Sequence, residues 1–267
     1  MNLQDLKKTA QKLLENNTVQ VVIGYGKGSG ENARPVFIRK PADVEKLIYN
    51  DKCVQNLSVY LYKPDVKELG KPAILAIPST AQAINQLILE KQISDGEILV
   101  IGISDNEEIA ELTDNTSIIA FANSLSSELS EEVKRKLTEI NSLSQADRWK
   151  FWQNELSACL KCYACKSSCP LCYCTRCAVE CNQPQWISIP SHSLGNMEWH
   201  IMRAMHLAGR CVNCGECARA CPVGIPLNLL TQKLQEVINN TFGAPESPEA
   251  FYALSAFKID DKEDFIR

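Results

Sequence analysis

The sequence predicts an α/β amino-terminal domain followed by a mainly α-helical domain organised by cysteine. Three observations carry that reading. Twelve of the thirteen cysteines lie between Cys159 and Cys221. Eight of these form two matching runs, Cys159-x2-Cys162-x2-Cys165-x3-Cys169-Pro170 and Cys211-x2-Cys214-x2-Cys217-x3-Cys221-Pro222. Upstream, residues 73–103 alternate strand, helix and strand without a cysteine, and 267 residues suffice for two domains that each bury a core. The expected division is an α/β domain over 1–125, a connecting helix over 126–145, the cysteine-rich helical domain over 146–240 and a tail over 241–267.

Leu3, Leu6, Ala10, Leu13 and Leu14 recur at helical spacing and predict an amphipathic helix ending at Asn16-Asn17. Thr18 to Ile23 is a β-branched run and predicts a strand, followed by Gly24, Gly26, Gly28 and Gly30 and then a second strand over Val36 to Arg39. A glycine-rich loop after a strand makes Gly24, Gly26, Gly28 and Arg34 candidates for binding a nucleotide or flavin phosphate. That fingerprint needs a helix to start at the loop, whereas Pro35 and the run beyond it read as strand; a plain connection is the other reading. Pro41 opens a short helix through Val44, Leu47 and Ile48. Cys53 stands alone in an apolar setting and reads as a small buried side chain.

Ala73–Ile77, Ser79–Lys91 and Glu97–Ile103 form the clearest βαβ unit, which predicts parallel strands covered on both faces. Ser117 to Phe121 reads as one more strand. The first 125 residues hold no histidine and no nucleophile–base constellation. Beyond them, residues 124–144 carry apolar positions at helical spacing among Ser, Glu and Lys, which predicts the connecting helix. Trp149 and Trp152, three apart on the helix that runs into Cys159, are expected to shield the first cysteine run from water, with ordinary core packing as the other reading and the two compatible. A helix is predicted over Leu194–Leu207, with His200 and His206 as core or surface groups, and another from Ile225 to Ile238.

The formal charge of −4 is too mild to indicate a nucleic-acid or membrane-surface partner. From Ala146 to Gln235 nine Lys and Arg face five Asp and Glu, so the cysteine-rich part is locally basic. A group bound by four thiolates is anionic, and a cationic surplus around it would offset that charge; chance variation of a solvated surface is the other reading. The amino-terminal MNLQDLKKTAQKLLENN lacks an apolar core segment, and no run is long and apolar enough to cross a bilayer. Cysteines at ligand spacing without a secretory signal point to a reducing cytoplasm and to an anaerobic setting.

Two Cys-x2-Cys-x2-Cys-x3-Cys-Pro runs are the signature of bacterial two-cluster ferredoxins, in which the fourth cysteine of each run ligates the other cluster. That pattern assigns one 4Fe-4S cluster to Cys159, Cys162, Cys165 and Cys221. It assigns the second to Cys211, Cys214, Cys217 and Cys169. Tetrahedral zinc sites read instead as two separated Cys-x2-Cys pairs. Four further cysteines, Cys172, Cys174, Cys177 and Cys181, lie within ten residues. They are a candidate third metal centre, zinc or iron-sulfur, and otherwise free or redox-active thiols.

The run from Cys211 to Leu227, CVNCGECARACPVGIPL, closely resembles the α-helical ferredoxin domain shared by the small subunit of heterodisulfide reductases and the iron-sulfur subunits of related dehydrogenases. Val21-Val-Ile-Gly-Tyr25 and Arg34-Pro-Val-Phe-Ile38 are similar to the amino-terminal part of the β subunits of deazaflavin-coenzyme hydrogenases and formate dehydrogenases. As a whole the chain resembles two-cluster iron-sulfur proteins associated with heterodisulfide-reductase-like complexes, which share the Cys-Pro-Leu-Cys-Tyr-Cys segment at Cys169 to Cys174. The resemblance implies a mainly α-helical two-cluster ferredoxin domain and an electron-transfer subunit of an anaerobic multi-subunit oxidoreductase, passing single electrons through two 4Fe-4S clusters. It implies redox partners: a heterodisulfide-reductase-like subunit, a flavoprotein, a hydrogenase or a formate dehydrogenase. Such relatives are expected to carry cysteines in the α/β half, and apart from Cys53 this half has none, so no flavin is expected there. The alternatives are a flavin-containing catalytic oxidoreductase subunit using the glycine loop and a sensor using Cys172 to Cys181 as a thiol switch.

Overall fold

The computed structural model describes residues 3–126, 129–175, 177, 179 and 187–242. The chain divides into two compact units that are not consecutive in sequence. The first takes in Met1–Leu129, Tyr163–Thr175 and Val212–Pro222; the second takes in Ser130–Cys162, Arg176–Cys211 and Val223–Arg267. The helical part is therefore not one continuous body over 146–240, because two short pieces carrying cysteines belong with the amino-terminal fold.

The first unit is built on a five-stranded mixed sheet in the order β2-β1-β3-β4-β5, with β1 Val21–Lys27, β2 Ala33–Ile38, β3 Pro72–Ala76, β4 Leu99–Ile103 and β5 Ile109–Leu112. The central pairs β1–β3 and β3–β4 are parallel and the outer pairs antiparallel. All five residues of β4 are buried, as are the last four of β3, which explains why these strands read as continuous apolar runs. Helix α1 (Leu3–Glu15) buries Leu6, Ala10, Leu13 and Leu14, the stripe that its spacing predicts. A 3₁₀ turn opens at Pro41, a second spans Leu57–Tyr60, and a single helical turn, α2, covers Pro64–Lys67.

The expected β-α-β unit is present as β3, α3 (Pro78–Leu89) and β4, with the strands in parallel register. The expected strand over Ser117 to Phe121 is instead helix α4, Asn115–Ser124. Its apolar residues do not decide the matter; the cap does. Asp114 accepts a hydrogen bond from the Ser117 N–H at 2.9 Å, fixing a helix start, and Ile118 and Ala122 are then buried one turn apart. The real edge strand is β5, just upstream, too short and too exposed to give a sequence signal.

In the second unit, α5 (Glu131–Ser142), α6 (Gln145–Ser157), α8 (Ser193–His206) and α10 (Leu227–Phe242) pack on one another, α6 against α8 and α10 against both α5 and α8. Ser130 and Ser144 cap α5 and α6 through their hydroxyls. Two single turns, α7 (Ala164–Ser167) and α9 (Glu216–Arg219), belong to the first unit and lie side by side there. The carboxy-terminal tail from residue 243 lies outside the described residues.

Candidate metal centres

Each cysteine run begins as a helix ends. The Cys159 N–H donates to Leu156 O at the end of α6, and the Cys211 N–H donates to Leu207 O just past α8. Both runs then adopt the same backbone. The second residue after the first cysteine is left-handed, Lys161 at φ 51° and Asn213 at φ 60°. The residue after the second cysteine is left-handed again, Tyr163 at φ 58° and Gly215 at φ 73°. A single helical turn follows in each, α7 holding Cys165 and α9 holding Cys217. The last cysteine closes that turn, with Cys169 N–H on Lys166 O at 3.1 Å and Cys221 N–H on Ala218 O at 3.2 Å.

This repeat has a physical reading. Left-handed conformation costs a non-glycine residue about 1–2 kcal/mol, so three such residues at matching positions are a selected geometry. Alternation between the two helical regions turns successive backbone N–H groups toward one concavity, a nest suited to an anion and frequent at iron-sulfur sites. The Lys161 N–H accordingly donates to Cys159 Sγ at 3.3 Å. A nest that presents N–H groups to thiolate sulfur, with three soft donors at x2 spacing, fits a thiolate-bound iron-sulfur group. Among the described residues no group of three or more Cys, His, Asp or Glu side chains is drawn together to hold a single metal ion. The fit thus rests on the backbone and on the donor chemistry.

Cys159, Cys165 and Cys169 are buried; Cys162 is exposed, and Cys211, Cys214, Cys217 and Cys221 are half-buried. Of the other four, Cys172 and Cys177 are half-buried and Cys174 exposed, while Cys181 lies outside the described residues. Cys53 is buried and accepts from the Asn50 N–H at 3.4 Å, and burial pushes its thiol up.

Inside the first unit, the cysteine-bearing pieces are held by hydrogen bonds that sequence reasoning did not foresee. Tyr62 Oη donates to Cys169 O at 2.9 Å and Tyr173 Oη donates to Glu90 Oε2 at 2.7 Å. Burial raises the Tyr62 phenol, with a further contribution from Cys169 and Cys172. Glu216, buried in α9, accepts the Asn56 N–H at 2.9 Å and pairs with Arg219. Asn56 in turn donates to Ser79 O at 2.8 Å at the start of α3. Ser168 Oγ of the first run reaches Glu216 O of the second at 3.4 Å. In the second unit Asn196, wholly buried, donates to Cys159 O at 2.9 Å, and Ser191 Oγ donates to the same carbonyl. Only the repeated spacing of Lys161 and Asn213 could have been noticed in the sequence.

The two tryptophans differ in their surroundings. Trp149 is 51% exposed, and Trp152 lines an apolar groove with Ile140, Ile201, Met205 and Leu234. Trp152 thus packs among helices, the second of the two readings of this pair.

The glycine loop is a β-hairpin. Gly24 and Gly26 lie within β1, opposite Val36 and Arg34 of β2. Gly28 N–H donates to Asn32 O at 2.7 Å to close the turn, and Arg34 Nε donates across the hairpin to Lys27 O at 3.0 Å. A Cβ at Gly24 would lie 2.6 Å from Leu47 Cδ2, so packing accounts for that glycine. No helix starts at this loop.

Comparison with known proteins agrees with the cysteine chemistry. Residues 171–226 match the family model of a 4Fe-4S dicluster domain. The F420-dependent formate dehydrogenase subunit beta of Methanocaldococcus jannaschii is 36% identical over 98 residues, 36% of this chain and 24% of that protein. The chain thus matches about a quarter of the length of that curated relative. Together with the donor set, these findings make the chain an iron-sulfur protein of the 4Fe-4S type, and no helix among the described residues is long and apolar enough to cross a membrane.

Proposed function

We propose that the chain is the electron-transfer subunit of an anaerobic, cytoplasmic multi-subunit oxidoreductase, relaying single electrons through two 4Fe-4S clusters. The observation that carries this reading is the repeated left-handed, left-handed, helical-turn backbone of the two cysteine runs. Cys159, Cys162, Cys165 and Cys221 would hold one cluster; Cys211, Cys214, Cys217 and Cys169 would hold the other. When bound, the clusters supply one-electron chemistry. The residues of the chain point the Lys161 N–H at Cys159 sulfur, exclude water from Cys159, Cys165 and Cys169 by burial, and fix the peptide carbonyls of Cys159 and Cys169. The similarity to a formate dehydrogenase β subunit supports a redox partner of the formate dehydrogenase, hydrogenase or flavoprotein kind, a heterodisulfide-reductase-like subunit being the other candidate.

A second ligand scheme has one observation in its favour. The family match begins after Cys169, so its first four cysteines are Cys172, Cys174, Cys177 and Cys181. Cys174-x2-Cys177-x3-Cys181 repeats the spacing at the end of a run, which makes these residues rivals to Cys159, Cys162 and Cys165 as ligands or the site of a third centre.

Anaerobic analysis of iron, sulfide, zinc and flavin tests both. About eight iron and eight sulfide per chain without flavin is the content of a two-cluster relay. Stoichiometric flavin would transfer the reading to a catalytic subunit. Substituting Cys162 should remove about half of that iron and Cys174 none under the first ligand scheme; the reverse result would select the second.

A further inference from the structure

The two runs share a backbone and differ in charge. Between its first and last cysteine, the run Cys159–Cys169 carries Lys161 and Lys166 and no acid, whereas the run Cys211–Cys221 carries Glu216 and Arg219, which pair with each other. The contrast is sharpest at the first left-handed position, where one run has Lys161 and the other the neutral Asn213.

Lys161 is 8% exposed. Its Nζ donates to Ser188 O and lies against the first turn of α8, where a Cβ at Gly195 would be 3.3 Å away. Among the described residues no carboxylate pairs with it. A buried ammonium group beside a helix N-terminus, whose partial charge has the same sign, is unfavourable unless an anion lies close by. Arg210, which immediately precedes the second run in sequence, donates from its guanidinium to His206 O at 2.9 Å. Buried Glu216 adds negative charge beside α9 that the half-exposed Arg219 offsets.

Resting on the reading of both runs as cluster ligands, we propose that Lys161 is the fixed counter-cation of the cluster held by the first run, so that this cluster is reduced before the one held by the second. Reduction adds one negative charge to a site that is already anionic, and a fixed cation close to it stabilises the reduced form. One electron arrives from a one-electron donor of the redox-protein class; no bond forms or breaks and no proton moves. The asymmetry gives the relay a resting place for its electron at Cys159–Cys165.

Exchange of the two residues tests this. Lys161→Asn, Asn213→Lys and the double exchange are prepared as full, cluster-loaded chains, and each is titrated potentiometrically under anaerobic conditions with detection by electron paramagnetic resonance. Asparagine tolerates left-handed backbone, so Lys161→Asn keeps the turn. The unmodified chain should titrate in two one-electron steps. Lys161→Asn should lower the upper step, Asn213→Lys should raise the lower one, and Lys161→Arg should leave the upper step in place, which also covers a failure of Lys161→Asn to load. A tenfold change in relative occupancy moves the steps about 59 mV relative to each other. Unmoved steps in Lys161→Asn, or a shift of the lower step alone, in a chain that still holds about eight iron, would overturn the ordering. An unmodified chain lacking that iron would instead overturn the cluster reading on which the ordering rests.

Discussion

In the first cysteine run Lys161 and Tyr163 occupy the two left-handed positions, and Ala164 opens the helical turn that follows. In the second run the same places hold Asn213, Gly215 and Glu216. The left-handed positions and the hydrogen bonds that close each turn coincide, whereas the side chains share only the cysteines and the proline. What is repeated is what thiolate ligation requires; what differs is what surrounds it. The first run is backed by buried Lys161 and His200 and by the wholly buried Asn196, while the second is tied through Glu216 to Asn56 beside the sheet.

The largest expected effect breaks the symmetry of ligation. Under the crossed scheme Cys169→Ala removes the cluster of the second run although the substitution lies in the first. Iron and sulfide should fall by about half, and the redox step that Asn213→Lys raises should be the one that disappears. Loss of the step governed by Lys161 would show that each run closes its own site.

Much of this was legible in the sequence. The α1 stripe, the β-α-β unit and the two runs were all visible because period and spacing are local. The strand expected at Ser117 to Phe121 was not, because a short apolar run fits either period and a single Asp114 cap decided for helix. The attachment of α7 and α9 to the amino-terminal fold uses hydrogen bonds such as those from Asn56 and Tyr62, separated in sequence by 160 and 107 residues from their partners. No periodicity encodes such contacts. Nor could spacing tell that Trp152 lines a groove between helices while Trp149 is left exposed.

Acid should distinguish the two runs next. Burial, then Arg203 and Lys161, push His200 down to about 4, and the residue is 2% exposed. Its neutral form is the one the folded chain accepts. The stabilisation is therefore fully present above the ordinary histidine value near 6.5 and is lost as pH falls from there toward 4. A shift of this size corresponds to about 3 kcal/mol at roughly 1.4 kcal/mol per unit. Denaturation of the intact protein at pH 7 and pH 5 should show about 2 kcal/mol of this loss, since pH 5 lies part-way between the two values, and His200→Phe should flatten it. An unchanged pH profile in that variant would place the acid sensitivity elsewhere.

Glu216 is the corresponding liability of the second run. Glu216→Gln leaves the Asn56 N–H an acceptor but removes the charge that pairs with Arg219. Because Arg219 is 43% exposed at its side chain, the expected cost is about 1–2 kcal/mol, below that for a fully buried pair. Chemical denaturation of the cluster-loaded chain would measure it, and Arg219→Gln should recover part of the loss when combined with it.

The smallest effect concerns the left-handed positions themselves. Tyr163 at φ 58° holds a conformation that its counterpart Gly215, at φ 73°, adopts freely. Gly215→Ala should cost about 1 kcal/mol, since the new Cβ takes on the left-handed penalty and meets only the flexible tip of Arg219, at 2.9 Å. Tyr163→Gly should have the opposite sign. Relief of strain worth about 1–2 kcal/mol is partly cancelled by the 0.5–1 kcal/mol that glycine adds to the entropy of the unfolded chain, leaving a gain of about 0.5–1 kcal/mol. In the thermal midpoint that is roughly 1–4 °C for a chain of this size. Opposite signs for the two substitutions would establish that the runs share one strained turn, relieved by glycine in only one of them; equal signs would mean that the Tyr163 ring supplies packing that outweighs the strain.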